Sequence, residues 1–127
     1  MSRLKREIAA SAVGELLRPE LGAAAGRYRF SRDFIGFSGH FPGYPVLPAI
    51  AQILAALDVV ERMKARPLKL AGVRNAKFHI RIGPGHEVLV ECRESGGGEG
   101  IAFDVRLLLD GGVAASFTLA CAPAKEG

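Results

Sequence analysis

The residue whose type and setting most invite chemistry is His40, which stands in GHFPGYPVLP, residues 39–48. Gly39 and Gly43 permit backbone conformations that other residues resist, and Pro42, Pro45 and Pro48 stiffen the segment. A lone loop histidine is most often a plain surface residue. A stiff loop around one imidazole, however, is a way to hold a general base in position. From Ala49 to about Met63 the chain has no Gly or Pro and almost no polar residue before Asp58. This predicts a helix that starts directly after Pro48. The first turn of such a helix offers free backbone N–H groups and the positive end of the dipole. A base beside an N–H donor that can grip a carbonyl oxygen is the apparatus for removing a proton α to that carbonyl.

Other polar residues carry weaker signals. Gln52 is polar in an apolar segment and must find a partner. It either orients a substrate or a water, or bonds a backbone group across a dimer, and the structural role is favoured. His79 shares the polar phase of its segment with Lys77 and Arg81 and is expected to be exposed. His86 follows a Pro-Gly turn and is expected to be a turn residue. Cys92 and Cys121 have no CxxC spacing and no histidines at metal-ligand intervals, so they are expected to be buried strand cysteines. No metal and no cofactor are expected.

The elements that must position these groups follow from periodicity. Residues 3–17 carry Leu4, Ile8, Ala12 and Leu16 at helical spacing and predict a first helix, ended by Pro19 and Gly22. Residues 27–30 alternate as a short strand, and a loop runs from 31 to 48. The apolar helix over 49–63 reads as buried because it is apolar nearly all round. After Pro67 the period becomes two: Phe78, Ile80 and Ile82 alternate with Lys77, His79 and Arg81. A turn at 83–85, a strand at 86–95, a loop at 96–100, a strand at 101–109, the hairpin signal Asp110-Gly111 and a last strand at 112–122 follow. The fold class is α+β, a curved antiparallel sheet of about four or five strands wrapped around one long helix. Such a sheet leaves edges and apolar surface uncovered, which predicts a dimer or larger assembly.

The stretch GHFPGYPVLPA resembles the signature of the hot-dog-fold β-hydroxyacyl-acyl carrier protein dehydratases. NAKFHIRIGPGHEVLVE, residues 75–91, is similar to that family's second hallmark, a basic-aromatic strand, a Pro-Gly turn and the next strand. The resemblance covers roughly residues 26–122. It implies a single hot-dog domain, with 1–22 as a helical extension. It also implies dimers or trimers of dimers, with sites at the dimer interface. Each site would take a histidine from one subunit and an acid from the other's central helix. The histidine position is His40. The helix-start N–H facing the thioester carbonyl falls on Ala49, and Gly43, Gln52 and Leu54 fall among the substrate-binding positions. The acid position falls on Leu54, which can neither donate nor accept a proton. Asp58 lies on the same helix face, ~6 Å further along the axis. It is either a substitute proton donor or an ion-pair partner of Arg62 at i+4. Lys77, Arg81 and Arg74 would make a basic face for an acidic carrier protein, or simply a solvated strand face.

Three functions compete on these residues. The first is dehydration of a 3-hydroxyacyl thioester to a trans-2-enoyl thioester in fatty acid, lipid or polyene synthesis. The second is a hot-dog thioesterase, disfavoured by the HFPG-type loop. The third is a non-catalytic partner, or a chain that supplies only His40 to a heterodimer. The bulk numbers fit all three: 127 residues, 49% apolar and 24% charged, suit one domain with a core. The net charge of +4 without aromatic–basic interleaving gives no case for nucleic acid. The apolar run from Tyr44 to Leu57 is too short for a membrane span, and Glu7 and Glu15 make the N-terminal segment amphipathic rather than a leader. A cytoplasmic protein is expected.

Overall fold

A computed structural model describes residues 2–38, 45–95 and 101–124. The chain runs α1 (Arg3–Ala10), β1 (Ala12–Leu17), β2 (Ala23–Arg29), a single 3-10 turn (Ile35–Phe37), α2 (Ala49–Lys64), β3 (Leu68–Phe78), β4 (Glu87–Ser95), β5 (Ile101–Leu109) and β6 (Gly112–Pro123). The six strands form one antiparallel sheet in the order β1-β2-β4-β5-β6-β3. This is the expected α+β arrangement, with more strands than the sequence pattern suggests.

The N-terminal segment departs from expectation. Helix α1 begins at the Ser2 cap, whose hydroxyl accepts the Lys5 N–H at 3.2 Å. It stops at Ala10 rather than near 17. The Ser11 hydroxyl donates back to the Glu7 carbonyl at 2.7 Å, and Gly14 takes φ +73, a conformation no right-handed helix contains. The chain then pairs with β2, with a bulge between Val13 and Leu17. Leu16 and Ala12 therefore serve a strand, although their spacing also fits a helix.

Helix α2 spans Ala49–Lys64 as its composition predicts. Its inner face, Ala51, Ala55, Ala56, Val59 and Val60, is fully buried against Val88, Val90, Phe103, Val105, Leu107 and Leu119 of the sheet. Alternation on β4, β5 and β6 supplies these residues, each strand sending every second side chain inward. The helix is not enclosed all round: Ile50 is 50% exposed and Ile53 and Leu54 are half-buried. One apolar stripe of α2 is thus left uncovered in a single protomer. The far end closes through Ala65 in the left-handed conformation, with the Arg66 N–H reaching the Glu61 carbonyl at 3.2 Å. The Arg18 guanidinium adds bonds to the Arg62 and Met63 carbonyls, both at 3.3 Å.

Strand β3 forms one edge of the sheet and ends at Phe78. The apolar phase expected through Ile82 breaks there. The N–H groups of His79 and Ile80 both turn to the Ala114 carbonyl, at 2.7 and 3.1 Å. As a result Phe78 and Ile80 are exposed while Ile82 is buried. The β5–β6 hairpin turns on Asp110 and Gly111, both at positive φ, as the dipeptide predicts.

Candidate functional site

His40 and Gly43 lie outside the described residues, and the site is built from what surrounds their segment. On its downstream side the chain is pinned by Leu47, which is 2% exposed and donates its N–H to the Ile82 carbonyl at 2.7 Å. Pro48 then starts α2 with no side-chain cap, and the Pro48 carbonyl takes the N–H groups of Ala51 and Gln52. Those of Ala49 and Ile50 have no hydrogen-bond partner among the described residues. Two free donors at the positive end of a helix of 16 residues form an electrophilic corner.

This corner opens on a pocket of about 480 Å³. Val46, Leu47, Ala49 and Gln52 line it from the helix side, and Phe78 and Ile80 from the end of β3, with His79 and Arg81 completing the wall. Phe78 and Ile80 come within reach because β3 ends at Phe78 and the next two N–H groups both turn to the Ala114 carbonyl. Strand periodicity alone puts them inside. His79 is exposed, as expected, yet its presence beside Ala49 had no signal in the sequence.

Gln52 is 4% exposed. Its Nε2 donates to the Leu47 carbonyl at 3.1 Å. Its Oε1 is buried and accepts no hydrogen bond from any of the described residues. Leu54 is half-buried on the uncovered stripe.

Asp58 sits elsewhere. Its Oδ2 accepts the Tyr28 hydroxyl and stands 3.8 Å from Nη1 of Arg62, which itself reaches the Tyr28 oxygen at 3.4 Å. Tyr28 is fully buried. Burial, then the bond to Asp58, pushes its phenol well above the ordinary tyrosine range, so it stays protonated and donating. The ion-pair alternative for Asp58 matches this geometry, and Asp58 is absent from the pocket wall at Ala49.

The upstream approach to the His40 segment is held by aromatic rings and one carboxylate. Tyr28, Phe30, Phe34 and Phe37 form a row with centroid separations of 6.1, 4.7 and 5.7 Å. Gly36 sits so close to Phe34 that an added Cβ would fall 2.2 Å from the ring. Glu7 on α1 accepts the Ile35 N–H at 3.0 Å and pairs with Arg3 at 2.8 Å. The Ile35 amide, and after it Arg3, hold the Glu7 carboxyl below its ordinary range. Nothing in the sequence marks Glu7 for this task.

The remaining candidates are peripheral. Arg74 and Lys77 are exposed on edge strand β3, and Arg81 is exposed beside the pocket. His86 is exposed just before β4. Cys92 and Cys121 are buried in strands. Burial raises both thiols, that of Cys121 to about 11, so neither is a thiolate at neutral pH. Among the described residues no three His, Cys, Asp or Glu side chains cluster as metal ligands, and no helix is long and apolar enough to cross a membrane.

Comparison with known proteins places this geometry in a family. The model of the ApeI-like family, described as ApeI dehydratase, matches residues 18–116. The 3-hydroxyacyl-[acyl-carrier-protein] dehydratase FabZ of Polynucleobacter asymbioticus is 34% identical over 99 residues, covering 72% of this chain and 66% of the relative. FabZ of Chromobacterium violaceum is 32% identical over 96 residues, covering 68% and 64%. The chain thus spans slightly under two thirds of the length of these relatives. In structure it is similar to the dehydratase heterocomplex ApeI:P from Xenorhabdus doucetiae, with TM-score 0.71 at 20% identity over 87% of this chain and 96% of that one. The HP0420 homologue from Helicobacter felis gives TM-score 0.70 at 12% identity over 98% and 95%. The six-stranded sheet around α2 is a hot-dog fold, and the chain belongs to the ApeI-like dehydratase family.

Proposed function

We propose that the protein dehydrates a 3-hydroxyacyl thioester delivered on an acyl carrier protein, releasing a trans-2-enoyl thioester and water. The observation that carries this reading is the start of α2, where the N–H groups of Ala49 and Ile50, without a partner among the described residues, meet an apolar pocket. His40 takes the proton from Cα. The electron pair runs toward the thioester carbonyl, whose oxygen is met by the Ala49 N–H. The pair then returns to form the Cα–Cβ double bond as the Cβ–oxygen bond breaks. The departing hydroxide takes a proton and leaves as water. The apolar walls hold the acyl chain, and Arg74, Lys77 and Arg81 offer an acidic carrier a basic landing beside the pocket. His40 enters on the strength of its motif, GHFPG, and of the family.

The proton for the leaving hydroxide favours a second subunit. Leu54 stands where the family resemblance puts the acid, and the Asp58 carboxylate is engaged by Tyr28 and Arg62. On the stripe of Ile50, Ile53 and Leu54, Ile50 is exposed and the other two are only half-buried. The structural neighbour ApeI:P is named a dehydratase heterocomplex. These support a dimer in which a homologous partner covers the stripe and brings the acid. The test is to give purified protein, alone and with co-encoded homologues, a 3-hydroxyacyl carrier-protein thioester. Enoyl product and free carrier thiol are both followed. Enoyl formation that vanishes in His40→Ala supports the reading. Free thiol without enoyl would make the chain a thioesterase instead. Activity only with a homologue identifies the acid-bearing partner.

A further inference from the structure

We infer that Gln52 is the residue that recognises the substrate's 3-hydroxyl group, its Oε1 accepting the hydroxyl proton inside the pocket at the start of α2. The inference rests on the dehydratase reading and names how that same site tells its substrate from other acyl chains.

Three observations carry it. The first is orientation. Side chains on a helix lean toward its N-terminus, and Gln52 reaches back so that Nε2 donates to the Leu47 carbonyl at 3.1 Å. That carbonyl accepts and cannot donate, so it selects the amide's NH2 side. Leu47 is itself held by its bond to Ile82. The direction of Oε1 is therefore set by the backbone. The second is vacancy of the acceptor. Oε1 is buried and has no hydrogen-bond partner among the described residues, although buried side-chain oxygens nearly always have one. The third is place. Gln52 and Ala49 line the same pocket, three residues apart and thus ~4.5 Å along the helix axis.

A ligand that satisfies both ends must present an acceptor to the Ala49 N–H and a donor to Oε1, on an apolar chain. A 3-hydroxyacyl thioester does so, with its carbonyl and its hydroxyl carbon separated by a single carbon. A saturated acyl chain and the enoyl product both lack the donor. A buried acceptor left unpaired disfavours such ligands far more than a missing methylene would. Gln52 would thus admit the substrate and let the product go. Unlike an acid at position 54, it supplies no proton, so its role is positioning and selection.

The experiment compares two pantetheine amides, in which nitrogen replaces the thioester sulfur, one bearing the 3-hydroxyl and one saturated. Binding is measured by calorimetry in the wild-type assembly and in Gln52→Met, which keeps the volume and removes the acceptor. The wild type is expected to prefer the hydroxylated amide by about tenfold or more. Gln52→Met is expected to bind both alike. Equal binding by the wild type, or an undiminished preference in Gln52→Met, overturns the inference and leaves the dehydratase reading standing. Failure of the wild type to bind either amide overturns both. Sedimentation of Gln52→Met tests the rival role, and loss of the assembly there would show that Oε1 serves the contact between subunits and overturn the inference. Should the variant fail to fold, the wild-type side-chain amide resonances of Gln52 decide. They are expected to shift with the hydroxylated amide and stay in place with the saturated one, and shifts of equal size with both overturn the inference.

Discussion

At the scale of single residues, the question is which carboxylates are chemical and which are structural. Asp58 is bound by the Tyr28 hydroxyl and faced by Arg62 on the body of α2. Tyr28→Phe removes the donor and leaves a partly buried carboxylate less well paired. It is expected to lower unfolding stability by about 1–3 kcal/mol, measured by urea denaturation. Asp58→Asn is expected to leave dehydration within a few fold of wild type. Turnover falling as far as in His40→Ala would make Asp58 the acid after all. Glu7 gives a prediction in pH. Its folded pKa lies below the ordinary 4.5, so the charged form is favoured in the fold. Its contribution is full above 4.5 and is lost as pH falls through the depressed folded value. Thermal midpoints of the wild type and Glu7→Gln are expected to converge as pH drops below about 4, since protonated glutamic acid and glutamine then bond Ile35 alike. A constant gap down to pH 2 would exclude this linkage.

At the scale of elements, the ends of α2 do different work. Its start is left uncapped and open to the pocket, whereas its end is closed by Arg18, Arg66 and Ala65. Ala65 sits at φ 55 and ψ 37, where a Cβ costs about 1–2 kcal/mol and glycine does not pay that penalty. Ala65→Gly is therefore expected to stabilise the fold by about 1 kcal/mol without touching activity, as a rise in the thermal midpoint would show. A fall instead would mean that the extra chain freedom of glycine outweighs the strain. The 3-10 turn at Ile35–Phe37 shows the same division from the other side. It depends on α1 through Glu7 and on the aromatic row through Phe34, so the approach to His40 is built by elements remote in sequence.

At the scale of the whole molecule, the exposed apolar side chains of α2 and β3 point to association. Ile50 on α2, and Phe78 and Ile80 where edge strand β3 ends, are exposed, with Ile53 and Leu54 half-buried next to Ile50, and Phe78 and Ile80 line the pocket. Exposed apolar surface next to an unpaired strand edge is what association removes from water. Ile50→Lys, a change at a half-exposed position, is expected to leave the protomer folded by circular dichroism and to shift sedimentation toward monomer. An unchanged assembly would place the interface elsewhere. Loss of enoyl formation together with the assembly would further tie the site to the subunit contact.

How much of this was legible beforehand follows from the range of the forces involved. Local pattern determined α2, the alternation of β4 and β5, the Asp110-Gly111 hairpin and the GHFPG motif, because capping, turn geometry and period act within a few residues. The resemblance carried by that motif implies that the family's acid position falls on Leu54. Only the tertiary structure decided that Ala12–Leu17 is a strand, since pairing with β2 outweighs a weak helical period. Only it brought the end of β3 to the start of α2, joined Asp58 to Tyr28 across 30 residues, and left Gln52 with its NH2 group bound and its oxygen without a partner among the described residues. Those outcomes depend on which distant surfaces meet in the core, and no spacing along the chain encodes that meeting by itself.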